Sequence, residues 1–255
     1  MERGTGTYRA DGTLKYRAAQ GPFTPWRARP DEIIWSTMTT AADATDQAAV
    51  PAGQLPSGDA VGVSFRQRLV EGMAASVRER GYRETTVADI VRHARTSRRT
   101  FYAEFSSKDD CYVALLYATN AMMRRHIEAS VDETAPWRHQ VRQAVEAYIR
   151  AAASEPEIML SWIRELPALG TVARTVQRES IDLLTEMLLR LTDTEVFHAA
   201  GAGPLSRQLA LLLLGGIREL TATTLEDGGE IHELTEVVTS AATALLTPGD
   251  RSARD

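Results

Sequence analysis

From Phe65 to Leu246 apolar residues return every three or four positions, the period of a helix with one buried face. Leu69, Val70, Met73, Ala74 and Val77 predict a first helix that Gly81 ends, as a C-terminal glycine does. Thr86-Val87-Ala88-Asp89 reads as a capping box opening a second helix, with Val87, Ile90, Val91 and Ala94 on its apolar face. After the short break Arg95-Thr96, Ser97 suits the N-cap of a third helix, Arg98 to Phe105. Ser107 and Asp110 cap a long fourth helix that buries Leu115, Leu116, Met122, Met123 and Ile127. Trp137, Val141, Val145, Tyr148 and Ile149 mark a fifth. A sixth runs from Ile158 to Leu166, stopped by Pro167, and a seventh from Val172 to Leu191. A loop with Gly201, Gly203 and Pro204 precedes an eighth, Leu205 to Leu225, and a ninth, Ile231 to Leu246, ends before Pro248-Gly249. No segment alternates convincingly as a strand and no repeat is visible. The expected fold class is all-α.

Residues 1–60 follow a different rule. They carry Pro22, Pro25, Pro30, Pro51 and Pro56 with no helical or strand period, and read as a disordered N-terminal extension. Trp26, Ile33, Ile34 and Trp35 leave room for a short docking segment, and Met38 is an alternative start. The expected divisions are this extension, a helix-turn-helix domain at 61–110, a helical effector-binding and dimerisation domain at 111–248, and a disordered tail at 249–255.

The formal net charge of −5 does not advertise a nucleic-acid binder, but its distribution does. Residues 61–110 hold ten Lys/Arg against seven Asp/Glu, a basic module on an acidic body. The single cysteine, Cys111, excludes an internal disulfide and a cysteine-rich zinc site; a reducing cytoplasm fits. It reads as a small buried hydrophobe rather than a redox sensor. The longest apolar run, Leu209 to Leu214 and on to Ile217, is too short to cross a membrane, and the N-terminus lacks a signal-peptide pattern. The five histidines (93, 126, 139, 198 and 232) show no metal-ligand spacing. Gly201-Ala202-Gly203 follows no strand and lacks the third glycine of a dinucleotide fingerprint, and no G-x-S-x-G elbow exists. No enzyme, metal or cofactor is expected.

Two short helices joined by a tight turn, the second opening in basic and hydroxyl residues, are the geometry of a helix-turn-helix. Arg98, Arg99 and Thr100 then stand where base edges are read, and arginine bonds guanine bidentately. Tyr102 offers a hydroxyl to a phosphate, and Lys108 a charge. The bland reading makes Arg98 and Arg99 a solvated face; two caps and the tight turn argue against it. Phe101, Phe105 and Tyr82 read as packing residues.

The run Arg80-Gly81-Tyr82-Arg83-Glu84-Thr85-Thr86-Val87 with Ile90, followed by Ser97-Arg98-Arg99-Thr100-Phe101-Tyr102-Ala103-Glu104-Phe105-Ser106-Ser107-Lys108-Asp109, resembles the DNA-binding signature of the TetR family of transcriptional regulators. The resemblance covers about 50 residues. It implies a nine-helix fold whose C-terminal helices bind a small molecule and form the dimer, with repression as the usual mode. It places base contacts at Arg98 and Arg99 and phosphate contacts at Thr86, Thr100, Tyr102 and Lys108. Two positions depart from the pattern. Arg95 stands where the turn usually has glycine, and Glu104 where histidine is usual, so Glu104 is expected to turn inward or bond a neighbour.

The eighth helix is apolar nearly all round from Leu209 to Leu214, and the ninth shows Leu234, Val237, Val238, Ala241 and Leu245 in a stripe. Together they suggest a four-helix interface with a two-fold mate, with simple burial inside one subunit as the alternative. A homodimer sets two recognition helices about 34–36 Å apart on a palindromic operator in double-stranded DNA. An effector pocket is expected among helices four to eight. Tyr117, Met122, Tyr148, Met159 and Trp162 are its candidate lining, each with a core reading beside it. Arg164-Glu165 and Arg218-Glu219 are candidates to orient a polar ligand, with surface pairing as the alternative. The rival functions are a helical small-molecule-binding or protein-interaction module that does not use DNA and, more weakly, an enzyme.

Overall fold

The computed structural model describes residues 64–247, together with residues 7–8 and 14–15. The chain divides into two units, Met1–Thr45 and Asp46–Asp255. In the first, β1 (Thr7–Tyr8) and β2 (Leu14–Lys15) pair antiparallel, with Thr7 opposite Lys15 and Tyr8 opposite Leu14. Two-residue strands are too short for an alternating pattern to register in the sequence. The expected disorder of residues 1–60 and 249–255 otherwise lies outside the described residues.

The described elements of the second unit are all helices, in line with the expected all-α class. Helix α1 (Phe65–Glu84) starts at Ser64, whose hydroxyl accepts the Gln67 N–H at 3.2 Å. Gly81 interrupts it with φ 76°, a left-handed conformation that glycine adopts without a Cβ penalty. Residues 82–84 make one further turn beyond that break. Helix α2 (Val87–His93) opens with the expected capping box, Thr86 and Asp89 each bonding the other's backbone N–H. Helix α3 (Arg98–Glu104) is capped by Ser97, which accepts from Thr100 N–H at 3.1 Å. Helix α4 (Lys108–Ser130) is capped by Ser107 through Asp110 N–H at 3.1 Å, while the Asp110 carboxylate takes the Ser106 hydroxyl.

The first three helices pack on one another around Leu69, Met73, Val77, Ile90 and Phe101, all fully buried. The α1–α2 approach is close: a Cβ on Gly72 would lie 2.5 Å from the Ile90 carbonyl. Cys111, fully buried, donates its thiol to the Leu69 carbonyl at 3.7 Å and fastens α4 to α1.

Helices α5 (Trp137–Ser154), α6 (Pro156–Arg164), α7 (Thr171–Thr192), α8 (Glu195–Ala199), α9 (Arg207–Glu226) and α10 (Leu234–Leu246) complete the unit. Short 3-10 turns at Leu166–Leu169 and Ile231–Glu233 lead into α7 and α10. The ten described helices exceed the nine expected by α8, whose five residues are fewer than two helical turns and carry no readable period. Two apolar clusters hold the body. One gathers Met123, Ile127, Val145, Met159, Ile163, Met187, Ile217 and Val238. The other gathers Trp137, Val141, Phe197, Leu205, Ala242 and Leu246. Among the described residues no helix is long and apolar enough to cross a membrane.

Candidate nucleic-acid interface and effector cavity

The turn between α2 and α3 is made by Ala94 and Arg95, with Arg95 in the left-handed region at φ 49°. A left-handed backbone strains a residue that carries a Cβ, as Arg95 does. The turn brings Ser97 into place as cap and sets Arg98 and Arg99 on the first turn of α3, both exposed. Neither makes an ion pair among the described residues, whereas neighbouring Arg92 pairs with Glu79 at 3.1 Å and Asp89 at 3.5 Å. Thr100 is half-buried with its hydroxyl 2.9 Å from that of Ser97. Tyr102 is 59 % exposed and meets the buried Phe101 ring edge-on. Thr86 is exposed, and its hydroxyl donates to Asp89 at 2.6 Å. Arg98, Arg99, Thr100 and Tyr102 thus lie on α3, while Thr86 caps α2.

Lys108 is placed differently from the rest. It is half-buried, and its ammonium donates to the carbonyls of Tyr82 and Thr85, each at 3.0 Å, and of Arg83 at 3.5 Å. It also lies 4.2 Å from the Tyr82 ring centroid, a cation–π contact. Its charge therefore gathers the carbonyls at the end of α1 beyond the Gly81 break. Glu104 is half-buried and its carbonyl accepts from Arg66 at 2.8 Å; the same guanidinium covers the Phe105 ring at 4.2 Å. Sequence reasoning did not foresee Arg66 as the clamp on the end of α3, because a lone arginine on a helix face carries no signature of its target.

Behind this module Tyr82 stacks on Tyr112 with ring centroids 4.0 Å apart. The Tyr112 hydroxyl lies 2.6 Å from that of Ser161 on α6. Ser161 donates to Glu165 at 2.7 Å, and Glu165 accepts the Tyr82 N–H at 3.1 Å. Arg78 adds a bidentate bond to Glu155, at 2.6 and 2.7 Å, where α5 meets α6. These contacts tie α1 to α6. Burial, then the hydrogen bond to Asp109, raises the Tyr82 phenol above its ordinary range, so it stays a neutral donor.

The body holds a cavity of about 80 Å³ among α4, α5, α7, α8, α9 and α10. Its walls are apolar, with Leu184, Met187, Leu213, Ile217 and Val238 among them, and Gln140, Tyr148 and Thr192 the polar members. Two of those are already occupied. Gln140 donates to the carbonyls of Glu133 and Ala135, and Thr192 donates to the Leu188 carbonyl while accepting from Leu205 N–H. Of the five candidate lining residues, Tyr148 alone is on this wall. Tyr117 turns to α7 and donates to Glu179. Met122 is half-buried on α4, and Met159 and Trp162 are buried in the packing of α6. Helical period marks which residues are buried, not which buried face borders a void, so the walls from α10 lie outside the expected helices and no residue of α7 was singled out as lining. Arg164 pairs with Glu219 and Glu226 across α6 and α9, as surface pairing predicts, but Glu165 turns inward to Tyr82.

The outer face of α9 exposes Leu211, Leu212 and Leu220, with open space beside Gly215 and Gly216. Val237 of α10 is 51 % exposed.

Residues 70–115 match the family model described as bacterial regulatory proteins, tetR family. No protein of curated function matches the chain in sequence. Solved structures match its fold. The fatty acid degradation regulator FadR from Bacillus halodurans is 18% identical, with a TM-score of 0.58 over 73% of this chain and 96% of that one. FadR from Bacillus subtilis in complex with stearoyl-CoA is 16% identical, with a TM-score of 0.60 over 71% and 97%. The regulatory protein TetR from Rhodobacter sphaeroides is 18% identical, with a TM-score of 0.57 over 69% and 98%. Residues 70–115 are thus similar to the tetR family of bacterial regulatory proteins, on a chain that shares the all-α fold of these solved regulators.

Proposed function

We propose that this chain is a cytoplasmic, ligand-responsive transcriptional repressor that binds a palindromic operator as a homodimer. The observation that carries the reading is the pair Arg98 and Arg99, exposed on the first turn of a capped helix and without an ion pair among the described residues. Unspent guanidinium groups at the entry of a short helix are what guanine edges require. Thr86, Thr100 and Tyr102 flank them as phosphate contacts. Lys108 reaches a phosphate only by leaving the carbonyls it holds, so its larger part is to position α4 against α1.

The DNA-binding module spans 61–110 and the effector and dimer module 111–248. The leucines exposed on α9, with Val237 on α10, form the face for the second copy, since water-exposed leucine is stabilised by burial at roughly 25 cal/mol per Å². The apolar cavity supports a small-molecule effector, and the stearoyl-CoA bound by the Bacillus subtilis neighbour supports an apolar one. The effector acts if it favours one spacing of the two recognition helices over another.

Selection of duplexes from a random-sequence pool by the full chain tests the DNA reading. Recovery of a palindromic site, with affinity falling steeply as salt rises, is the expected result. Loss of that binding in Arg98→Ala/Arg99→Ala while the dimer persists assigns the contact. Failure to enrich any sequence favours a helical ligand-binding module that does not use DNA.

A further inference from the structure

Among the described residues no Asp, Glu, Lys, Arg or His lines the cavity. Its three polar members are engaged within the protein. Gln140 gives both amide hydrogens to the carbonyls of Glu133 and Ala135, at 3.1 and 2.8 Å. Thr192 donates to the Leu188 carbonyl at 2.9 Å and accepts the Leu205 N–H at 3.2 Å. The Tyr148 hydroxyl meets that of Thr221 at 3.4 Å. Arg218 follows the wall residue Ile217 in sequence, but its guanidinium donates to the Ile163 carbonyl at 2.9 Å on α6, which supplies no wall.

A charged or hydrogen-bonding head brought into such a space loses its water and gains no partner, which is costly. An apolar guest meets no such cost. Side chains that face an empty volume forfeit packing contacts, and water does not fill an apolar cavity, so a guest of matching size restores what the walls lack. Size is limited as tightly as polarity. An apolar cavity of about 150 Å³ accepts benzene. The cavity here, about 80 Å³, then accepts about three or four heavy atoms.

With the cavity as the effector site proposed for this chain, we infer that its effector is a small, uncharged, apolar molecule, more compact than benzene and without a polar head. Leu184, Met187, Leu213, Ile217 and Val238 hold it by packing alone. Selectivity comes from shape and from the cost of desolvating a polar head.

Isobutene, acetone and acetate test this, since the three share one flat, branched shape and differ in polarity and charge. The full chain, carrying carbon-13 at its methionine methyl groups, is titrated with each and followed by NMR. Met187 reports from the wall and Met73 from α1, and Met187→Leu assigns the signal. Isobutene is expected to move the Met187 signal, to leave that of Met73 in place and to change affinity for the selected duplex. Acetone and acetate are expected to bind at least about tenfold more weakly, and benzene not to bind. Ala144→Leu, which fills part of the space, is expected to abolish the isobutene response; if it unfolds, as read by circular dichroism, the wild-type series still decides. Acetone or acetate binding as tightly as isobutene overturns the apolar class and leaves the cavity as a ligand site. Benzene binding as tightly overturns the size limit. A Met187 signal that no probe moves overturns the ligand class and the cavity together. Isobutene binding that leaves duplex affinity unchanged overturns the effector role and keeps the ligand class.

Discussion

Glu165, near the end of α6, accepts the backbone N–H of Tyr82 at 3.1 Å, and Tyr82 belongs to the turn that follows the break in α1. The same carboxylate takes the Ser161 hydroxyl, and Ser161 meets the hydroxyl of Tyr112, on which Tyr82 stacks. One acid thus joins the helix that packs beside the cavity walls to the base of the helix-turn-helix. Met159 and Ile163 of α6 share an apolar cluster with Val145 and Ile217, which line the cavity. Under the proposed function, a shift of α6 on effector binding would reach Tyr82 through two hydrogen bonds and a ring stack.

Replacing Glu165 with alanine leaves the part-buried Tyr82 N–H and the Ser161 hydroxyl without their acceptor. A loss of about 1–3 kcal/mol is expected, read as a lower urea midpoint for the full chain. An unchanged midpoint would mean that water replaces the carboxylate and that the link carries no stability.

Arg95 offers the opposite sign. Its φ of 49° costs a non-glycine residue about 1–2 kcal/mol, while glycine adds freedom to the unfolded chain worth about 0.4–1 kcal/mol. Arg95→Gly is expected to stabilise by about 0.5–1 kcal/mol net in the same unfolding measurement. Destabilisation would show that the Arg95 side chain contributes more than its backbone strains.

Gly72 admits no such exchange. A methyl group there meets the Ile90 carbonyl at 2.5 Å and the Ala94 nitrogen at 3.0 Å, both backbone atoms. Gly72→Ala is expected to separate α1 from α2 and destabilise by about 1–3 kcal/mol, with operator affinity falling alongside. Wild-type stability in this variant would contradict the packing of the three-helix module.

These positions show how much is legible in sequence. Thr86, Ser97 and Ser107 all cap as their spacing predicts, because a cap is a local bond between residues three apart. Arg95 and Glu104 stand out as departures for the same local reason. The Glu165–Tyr82 bond spans 83 positions, and nothing in either segment announces the other. The cavity is illegible in a further way. Tyr117 and Met122 satisfy the same helical spacing as Tyr148, yet of the three only Tyr148 faces the void, since that depends on how six helices pack.

Acid titration separates one surface cluster. Glu79 is held at about 2, below its ordinary 4.5, by hydrogen bonds from Arg80 first, then Arg92 and His93. A depressed folded-state pKa contributes stability that is present above 4.5 and lost as pH falls through about 2. Wild type and Glu79→Gln are expected to differ in unfolding midpoint at neutral pH and to converge toward pH 2. A constant difference would mean that the ionised carboxylate does not link α1 to α2.

Cys111 should be inert while the chain is folded. Burial pushes its thiol up to about 12, so thiolate is scarce at neutral pH. Labelling by a thiol-specific disulfide reagent is expected to wait for unfolding in urea. Rapid modification of the native protein would contradict the fit of α4 against α1.

The central claim is that α3 reads bases through Arg98 and Arg99. Genomic occupancy of the tagged full chain, compared with Arg98→Ala/Arg99→Ala, tests it most directly. The account predicts discrete palindromic sites, with half-sites about 34–36 Å apart along the duplex, that the double variant no longer occupies. Occupancy of the same sites by the variant, or no discrete sites for the wild type, would contradict it.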